Sequence, residues 1–462
     1  MVVLLLSAFL ASAAFEPIGI WFFAVVGYAL FLRRLRKSRS PIASAFIFGL
    51  ILNAIVLHWS SKYVGALPWL LLSFLQALFY IPAGWAYKRT KSLSWVVFAI
   101  LVCEELRART PFGGFSWTRI AFSQVDSPFA PLLSYGGVLL LSFATLSLSL
   151  LFTQIRLRNL LVVIVSLLLV AFLPNNPQTK ESVSLIGIQG NTPSVGLEFN
   201  SRAKAVFDLH RDTTLKLAKP GYDAIVWPEN AIDIDPRKNL EVSQDIKSLV
   251  KTLQAPLIAG VVLTENGSPA NASVLYGVDG EAKSTYIKRY LTPFGEYMPL
   301  RRLAEFISPY AASVNDFKAG NRLVTHEVAG EKLAPIICYE IINDGLVRES
   351  AINAGALIVQ TNSATFANTP ESAQQLAITR VRAIEHSREI LSVSTVGISA
   401  FIDNNGVVKE QTAENISTSI SGELFISSHK TVADRLGGVA PLLTLFASLL
   451  LALFRERRIS LR

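Results

Sequence analysis

The sequence predicts a chain of two characters: a multi-pass α-helical membrane domain of about eight spans, and an α/β domain held on the extracytoplasmic side. Three observations predict it. Hydrophobic residues make up 51% of the chain and charged residues only 17%, a balance unusual for a soluble protein. The apolar residues fall into long runs before Pro174 and again after Gly437. Between them, from about Val183 to Ser428, short β-rich runs alternate with amphipathic segments, which is the pattern of an α/β domain.

Taken in order, the apolar stretches are Val2 to Phe15, Pro17 to Leu32, Ile42 to Val64, Pro68 to Tyr87, Leu93 to Leu106, Pro131 to Phe152 and Leu160 to Leu173, with a last one from Gly437 to Phe454. A bilayer core takes about 20 helical residues, so several are long enough, while the first, fifth and seventh are short. Val2 to Phe15 also fits a cleaved signal peptide, because Ala11-Ser12-Ala13-Ala14 offers small residues. The basic n-region of such a leader is missing, so we expect an uncleaved helical hairpin. Arg33, Arg34, Arg36, Lys37 and Arg39 follow the second stretch, Lys88, Arg89 and Lys91 the fourth, and Arg156 and Arg158 the sixth. The positive-inside rule makes these loops cytoplasmic. Arg455, Arg457, Arg458 and Arg462 put the C-terminus on the same side, so the hydrophilic block lies outside. The expected domains are therefore 1–174 (membrane helices), 183–428 (catalytic) and 437–454 (a final membrane helix), with Asn175, Asn176 and Pro177 as linker.

Within the block the expected strands are Val183 to Gln189, Ala224 to Trp227, Pro256 to Val262, Ala334 to Cys338, Ala356 to Thr361 and Ile390 to Thr395. The expected helices are Ser201 to Leu217, Leu240 to Leu253, Gly345 to Ala354 and Glu371 to His386. The net charge of +9 comes from short basic loops and not from one stripe, which argues against a nucleic-acid partner. Two cysteines cannot make a disulfide framework, and Cys103 lies in an apolar stretch, so both are expected to be free thiols. The five histidines are scattered without ligand spacing; neither a metal nor an organic cofactor is expected.

Three side chains carry the chemistry. Cys338 follows the apolar run Ala334-Pro335-Ile336-Ile337, Lys288 follows Ser284 to Ile287, and Glu229 stands in Val226-Trp227-Pro228-Glu229-Asn230. A cysteine becomes a useful nucleophile when a neighbouring cation or base favours its thiolate. Lys288 supplies such a cation, or binds the oxyanion of a tetrahedral intermediate with the backbone N–H of Tyr339 as a second donor, and Glu229 is the natural proton acceptor and later donor. Singly, each has a plainer reading: an inert buried thiol, a solvated lysine, a helix-capping carboxylate. Their joint appearance on successive strand ends favours covalent catalysis. Glu104 and Glu105 near the end of the fifth stretch are either functional intramembrane acids or interfacial partners of Arg107 or Arg109. Arg380, Arg382, Glu385 and Arg388 suggest local salt bridges on one helix. Asn271-Ala272-Ser273 matches a glycosylation acceptor, a pattern too weak to use.

Trp227-Pro228-Glu229, the Lys288 segment ending in Pro293-Phe294-Gly295-Glu296-Tyr297, and Cys338-Tyr339-Glu340 resemble the three signature segments of the nitrilase, or carbon–nitrogen hydrolase, superfamily. That resemblance implies an α-β-β-α sandwich with a Glu-Lys-Cys triad. Phe15-Glu16-Pro17-Ile18-Gly19, Phe48-Gly49-Leu50 with Trp59, and Glu105-Leu106-Arg107 followed by Gly113-Gly114-Phe115-Ser116-Trp117 narrow it, since they resemble apolipoprotein N-acyltransferases. So do Gln189-Gly190-Asn191, Gln374-Gln375-Leu376, Arg380-Val381-Arg382-Ala383-Ile384-Glu385 and Thr395-Val396-Gly397-Ile398-Ser399-Ala400. The family likeness implies ping-pong acyl transfer in a bacterial cytoplasmic membrane, from a phospholipid to the N-terminal α-amine of a diacylglyceryl-modified apolipoprotein, through a thioester on Cys338. It implies Glu229 as base and acid, Lys288 as oxyanion donor and Glu296 as support for the lysine, with Tyr339, Glu340 and Trp227 lining or supporting the site. Family members often carry a tryptophan shortly after Gln-Gly-Asn; here the nearest aromatic is Phe199. Asn362-Ser363-Ala364-Thr365-Phe366-Ala367 likewise stands where many relatives read Asn-Asp-Ala-Trp-Phe-Gly.

Two rivals remain at this point. A membrane-tethered amidase uses the same triad and differs only in the second nucleophile. A non-catalytic receptor or transport component would have no reason to keep all three residues. The membrane tether favours a monomer.

Overall fold

The apolar runs fold as helices whose ends follow local chemistry. A computed structural model describes residues 1–62, 64–154, 156–195, 204–307, 311–312 and 314–460, and the chain divides into two compact units, Met1–Asn175 with Thr431–Arg462, and Asn176–Lys430. In the first unit the helices are α1 (Val2–Ser12), α2 (Phe22–Arg36), α3 (Pro41–Val56), α4 (Ala66–Leu78), α5 (Ile81–Thr90), α6 (Leu93–Arg107), α7 (Leu133–Phe152) and α8 (Leu157–Ala171). Helix α2 stops in Arg33, Arg34 and Arg36, cations suited to a helix C-terminus, and α3 starts on Pro41, whose missing N–H costs nothing there. The fourth apolar stretch, expected as one run, breaks at Phe79 and Tyr80 before α5 restarts with a proline in its first turn. By length and composition, Ala66–Thr90 and Ala130–Phe152 can each cross a membrane, while Val2–Ser12, Pro41–Val56, Leu157–Ala171 and Val439–Phe454 are shorter apolar helices.

Side chains of α1, α2, α3, α6 and α7 form one core, including Leu4, Phe31, Leu35, Phe48, Leu52, Val96, Leu101 and Leu139, with Phe31 and Phe48 stacked at 4.1 Å between ring centroids. Glu104 and Glu105 are paired: Arg107 lies 3.4 Å from Glu104, and Arg109 and Arg119 lie 2.7 and 2.6 Å from Glu105. Arg107 also donates to Thr118 Oγ1 at 2.7 Å, which in turn donates to Asn53 Oδ1 at 2.8 Å. The pairing with Arg107 and Arg109 expected of these acids is present, with Arg119 as a further partner of Glu105, and the network ties α3 and α6 to the segment around Thr118, since buried charges persist only when partnered in this way.

The second unit is an α-β-β-α sandwich. It runs β1 (Ser182–Gln189), α9 (Ala205–Leu217), β2 (Ala224–Val226), α10 (Leu240–Leu253), β3 (Leu257–Glu265), β4 (Ser268–Tyr276), β5 (Ala282–Ile287), α11 (Arg301–Ile307), β6 (His326–Val328), β7 (Glu331–Ile337), α12 (Asp344–Asn353), β8 (Ala356–Thr361), α13 (Glu371–His386), β9 (Ile390–Ser394), β10 (Ala400–Ile402), β11 (Val408–Gln411) and β12 (Thr418–Phe425). Two six-stranded sheets result, in the orders β12-β1-β2-β3-β4-β5 and β11-β10-β9-β8-β7-β6. In each the central strands pair in parallel and the outer ones antiparallel. Val183, Leu185, Val226 and Ile258 of the first sheet share a core with Leu333, Ile358, Leu391, Val393 and Phe401 of the second. Helix α10 shows why the outer layers form: Val242, Ile246, Leu249, Val250 and Leu253 recur on one face and are buried, and Asn239 Oδ1 caps its start by accepting from Val242 N at 3.0 Å. Helices α14 (Val432–Leu436) and α15 (Val439–Ser460) close the chain in the first unit, where Leu445 and Leu451 pack on the helical core.

Candidate active site

Glu229 is delivered by a bulge. The chain leaves β2 after Val226, Pro228 has no N–H to continue the ladder, and pairing resumes at Ile232, which bridges to Val261. Gly260 lets the bulge settle on β3, because a Cβ there would lie 2.2 Å from the Pro228 carbonyl oxygen and 2.6 Å from Glu229 Cα. Lys288 is the first residue beyond β5, its N–H held by the Asn271 carbonyl at 2.8 Å. Cys338 is the first residue beyond β7 and has φ of +48°, a left-handed conformation that costs a side-chain-bearing residue roughly 1–2 kcal/mol. Such stored strain occurs where a side chain must be presented.

Lys288 is almost wholly buried, with Nζ 3.1 Å from Glu229 Oε1 and 2.8 Å from Glu296 Oε2. The Asn271 side-chain amide completes the ring, donating to Glu229 Oε1 at 2.5 Å and to Glu296 Oε1 at 3.0 Å. Glu296 is fixed in turn by the Thr292 N–H at 2.8 Å. Burial raises Glu229 above the usual carboxylate range; Lys288 opposes this and Glu296 adds to it. At Glu296 burial pushes the same way, but the Lys288 ammonium and the hydrogen bonds from Lys288, Asn271 and Thr292 outweigh it and hold the group low. Two carboxyls driven apart in this way suit separate roles: Glu296 as a standing counter-ion, Glu229 as the group that gains and loses a proton. Burial alone would depress Lys288, yet the two carboxylates raise it well above its ordinary value, so it stays an ammonium.

Cys338 is partly accessible, with the Gln375 amide 3.9 Å from its sulfur. Desolvation lifts the thiol well above its ordinary range; Glu229, Glu371 and Glu296 push the same way, and Lys288 alone opposes them. Lys288 therefore pulls towards the thiolate, as expected of a neighbouring cation, but desolvation and the carboxylates outweigh it. The resting sulfur is a thiol, and its proton must move as it attacks.

The remaining expected residues separate. Glu340 is fully buried and grips the strand ends, Oε1 accepting from Tyr286 OH at 2.8 Å, Arg289 N at 2.7 Å and Tyr290 N at 3.1 Å, and Oε2 from Ile337 N at 2.9 Å. It ties the Lys288 and Cys338 segments together instead of lining a pocket. Trp227 is wholly buried against Phe207 and His210, its indole N–H donating to Thr214 Oγ1 at 2.9 Å and its carbonyl accepting from Gln360 at 2.6 Å; it anchors the strand end from within the helix–sheet core. Tyr339 is buried beside the cysteine. Phe199 lies outside the described residues. Sequence reasoning missed Asn271, dismissed as part of a glycosylation pattern.

A cysteine on a strained strand end, beside a lysine bracketed by two glutamates, on a four-layer sandwich defines a carbon–nitrogen hydrolase. The family model described as "Carbon-nitrogen hydrolase" matches residues 186–428, and "Apolipoprotein N-acyltransferase N-terminal domain" matches residues 7–151. The apolipoprotein N-acyltransferase of Mycolicibacterium smegmatis is 32% identical, over 97% of this chain and 84% of the relative. That of Pseudomonas syringae pv. tomato is 27% identical, over 87% of this chain and 86% of the relative. A solved CN-hydrolase superfamily protein from Xanthomonas campestris aligns at 18% identity with a TM-score of 0.40, covering 53% of this chain and 91% of that one. The chain belongs to the apolipoprotein N-acyltransferase family.

Proposed function

We propose that the chain N-acylates apolipoproteins by ping-pong transfer through a thioester on Cys338, with a phospholipid as donor and the α-amine of a diacylglyceryl-modified N-terminal cysteine as acceptor. The observation that carries this reading is the placement of Cys338 at the strained end of β7, within electrostatic reach of Lys288, Glu229 and Glu296. In the first half-reaction Glu229 takes the thiol proton as sulfur attacks the ester carbonyl. The Lys288 ammonium and the Tyr339 N–H hold the oxyanion. Collapse breaks the C–O bond, and Glu229 returns the proton to the departing lysophospholipid oxygen. In the second, a neutral amine attacks the thioester, Glu229 takes one N–H proton, the C–S bond breaks, and the proton returns to sulfur.

Both substrates are lipid-anchored, which supports a membrane-embedded enzyme of about eight spans with its catalytic domain on the extracytoplasmic face. The basic residues after the second, fourth and sixth apolar stretches support that orientation, and a tethered monomer suffices. The domain boundaries follow as 1–174, 183–428 and 437–454. The test is mass spectrometry of the full chain incubated with phospholipid carrying a labelled acyl chain. A hydroxylamine-labile acyl group on Cys338, removed by a diacylated lipopeptide, is expected; no label under turnover conditions, or release equally fast without the lipopeptide, sinks the reading. Lys288→Ala should slow labelling roughly 100- to 1,000-fold.

A further inference from the structure

Glu371 is a buried acid for which the mechanism above has no use. It opens α13, and Gln375, one turn later on the same face, reaches the Cys338 sulfur. The Glu371 side chain is 3% exposed. Ser363 hydrogen-bonds one of its oxygens, while Oε2 has no hydrogen-bond partner, and no ion pair reaches the carboxyl among the described residues. Beside it, Ser372 hydrogen-bonds Glu414, which is only half buried. An inner carboxyl near the nucleophile is thus followed by an outer one towards solvent. The titratable groups that face Glu371 are Glu229, Cys338 and Glu414.

The second half-reaction carries a proton that Glu229 cannot absorb. The acceptor arrives as an ammonium, R–NH3⁺, and only the neutral amine has a lone pair for the thioester carbonyl. The proton that Glu229 removes during attack goes back to sulfur when the C–S bond breaks. One further proton per turnover must leave the site before attack.

Resting on the thioester reading, we propose that Glu371 is a second general base: its carboxylate takes the extra proton from the acceptor's ammonium, giving R–NH2 and a neutral Glu371, and that proton passes by way of Glu414 to solvent. The unpartnered Oε2 is the atom that receives the N–H. Burial pushes Glu371 up to about 8, Glu414 and Glu229 add to it, and the Ser363 bond opposes. An α-amino group titrates at about 7.7–8.0, so the transfer is close to balanced, whereas an ordinary glutamate at about 4.3 would be a weak base for it.

Single-turnover experiments on the full chain test this by separating acylation of Cys338 by labelled phospholipid from release of the acyl group to a diacylated lipopeptide. For Glu371→Gln the ratio of release rate to acylation rate should fall roughly 10-fold at pH 7, the factor by which an amine of pKa about 8 is held protonated there. The deficit should shrink as pH rises past the amine's own pKa, where solvent has already neutralised it. Glu371→Asp should recover part of the loss, and Glu414→Gln, nearer solvent, should show a smaller deficit of the same pH dependence. An unaltered ratio, an equal loss in both half-reactions or a deficit that does not change with pH overturns the proposal. If the unaltered chain acquires no acyl group on Cys338, the thioester reading itself fails; normal acylation with an unaltered ratio overturns only the role of Glu371.

Discussion

Replacing Asn271 with alanine isolates one term in the tuning of the general base. The Asn271 amide nitrogen carries two hydrogens, and both are engaged, one on Glu229 Oε1 at 2.5 Å and one on Glu296 Oε1 at 3.0 Å. The backbone carbonyl that holds Lys288 N–H is untouched by the substitution, so strand pairing survives. A hydrogen bond to a charged group is worth about 1.5–3 kcal/mol. At Glu229 that bond favours the ionised form and lowers the pKa. Losing it lets burial raise the group further, by about 1–2 pH units at 1.36 kcal/mol per unit. Glu229 must be ionised to take the Cys338 proton, so activity falls as pH drops through its pKa, and this acid limb moves upward in the variant. The assay is kcat/KM for acylation of Cys338 by labelled phospholipid from pH 5 to 9. Asn271→Ala should lose roughly 10- to 100-fold on the acid side and approach the unaltered chain at high pH. An unmoved acid limb, or a loss uniform across pH, would show that Asn271 does not set the protonation of Glu229.

Three further outcomes follow from particular contacts. Glu340→Gln leaves one acceptor oxygen for donors that now reach two, and sets an N–H2 group against an N–H or O–H; it should destabilise the catalytic unit by roughly 3–5 kcal/mol, seen as a lower Tm together with lost acylation. Gly260→Ala forces a Cβ into the Glu229 bulge; acylation should fall about 100-fold through misplacement of the base while far-UV circular dichroism stays unchanged. His326 is buried between Ser273 and Ser284 and its pKa is lowered to about 3 by burial. Because its folded value lies below its unfolded one, the unfolded chain binds more protons as pH falls from about 6.5 towards 3, and stability is lost across that window. The loss between pH 6.5 and 4.5 is about 2–3 kcal/mol, and His326→Gln should flatten that part of the stability–pH curve measured by chemical denaturation.

The parts legible in the sequence were those with a repeating pattern or a fixed place after one. Helices α10 and α13 have the expected bounds because apolar residues recur at helical spacing, and Glu229, Lys288 and Cys338 were found because each comes at the end of a strand-like run. Side-chain commitments were not legible. Asn271 and Glu340 are polar letters whose neighbours in space come from β2, β5 and the turn at Thr292, far away in the chain. Glu371 entered the sequence reading only as the first residue of the expected helix, a place where helix dipoles favour an acid, and nothing local distinguished a buried carboxyl with one oxygen left unpartnered. The break between α4 and α5 was hidden because Phe79 and Tyr80 continue the apolar run although the helix does not.

The charges of the site also explain why the lysine can serve a forming oxyanion although it is already bracketed by carboxylates. At rest Glu229 and Glu296 both face the ammonium, and the sulfur keeps its proton. When Glu229 takes that proton it becomes neutral, and Lys288 loses one of its two counter-ions at the moment negative charge appears on the carbonyl oxygen. A pair about 4 Å apart interacts by about 4 kcal/mol at an effective dielectric of about 20, so the release is large enough to matter. Attack by sulfur and capture of the oxyanion are therefore coupled through one proton. A variant that holds Glu229 permanently neutral, Glu229→Gln, leaves Lys288 with its positive charge only half matched before attack. Such a variant should bind anionic lipid competitors more tightly than the unaltered chain while acylating Cys338 far more slowly; unchanged competitor affinity would show that the Glu229 charge does not restrain the lysine.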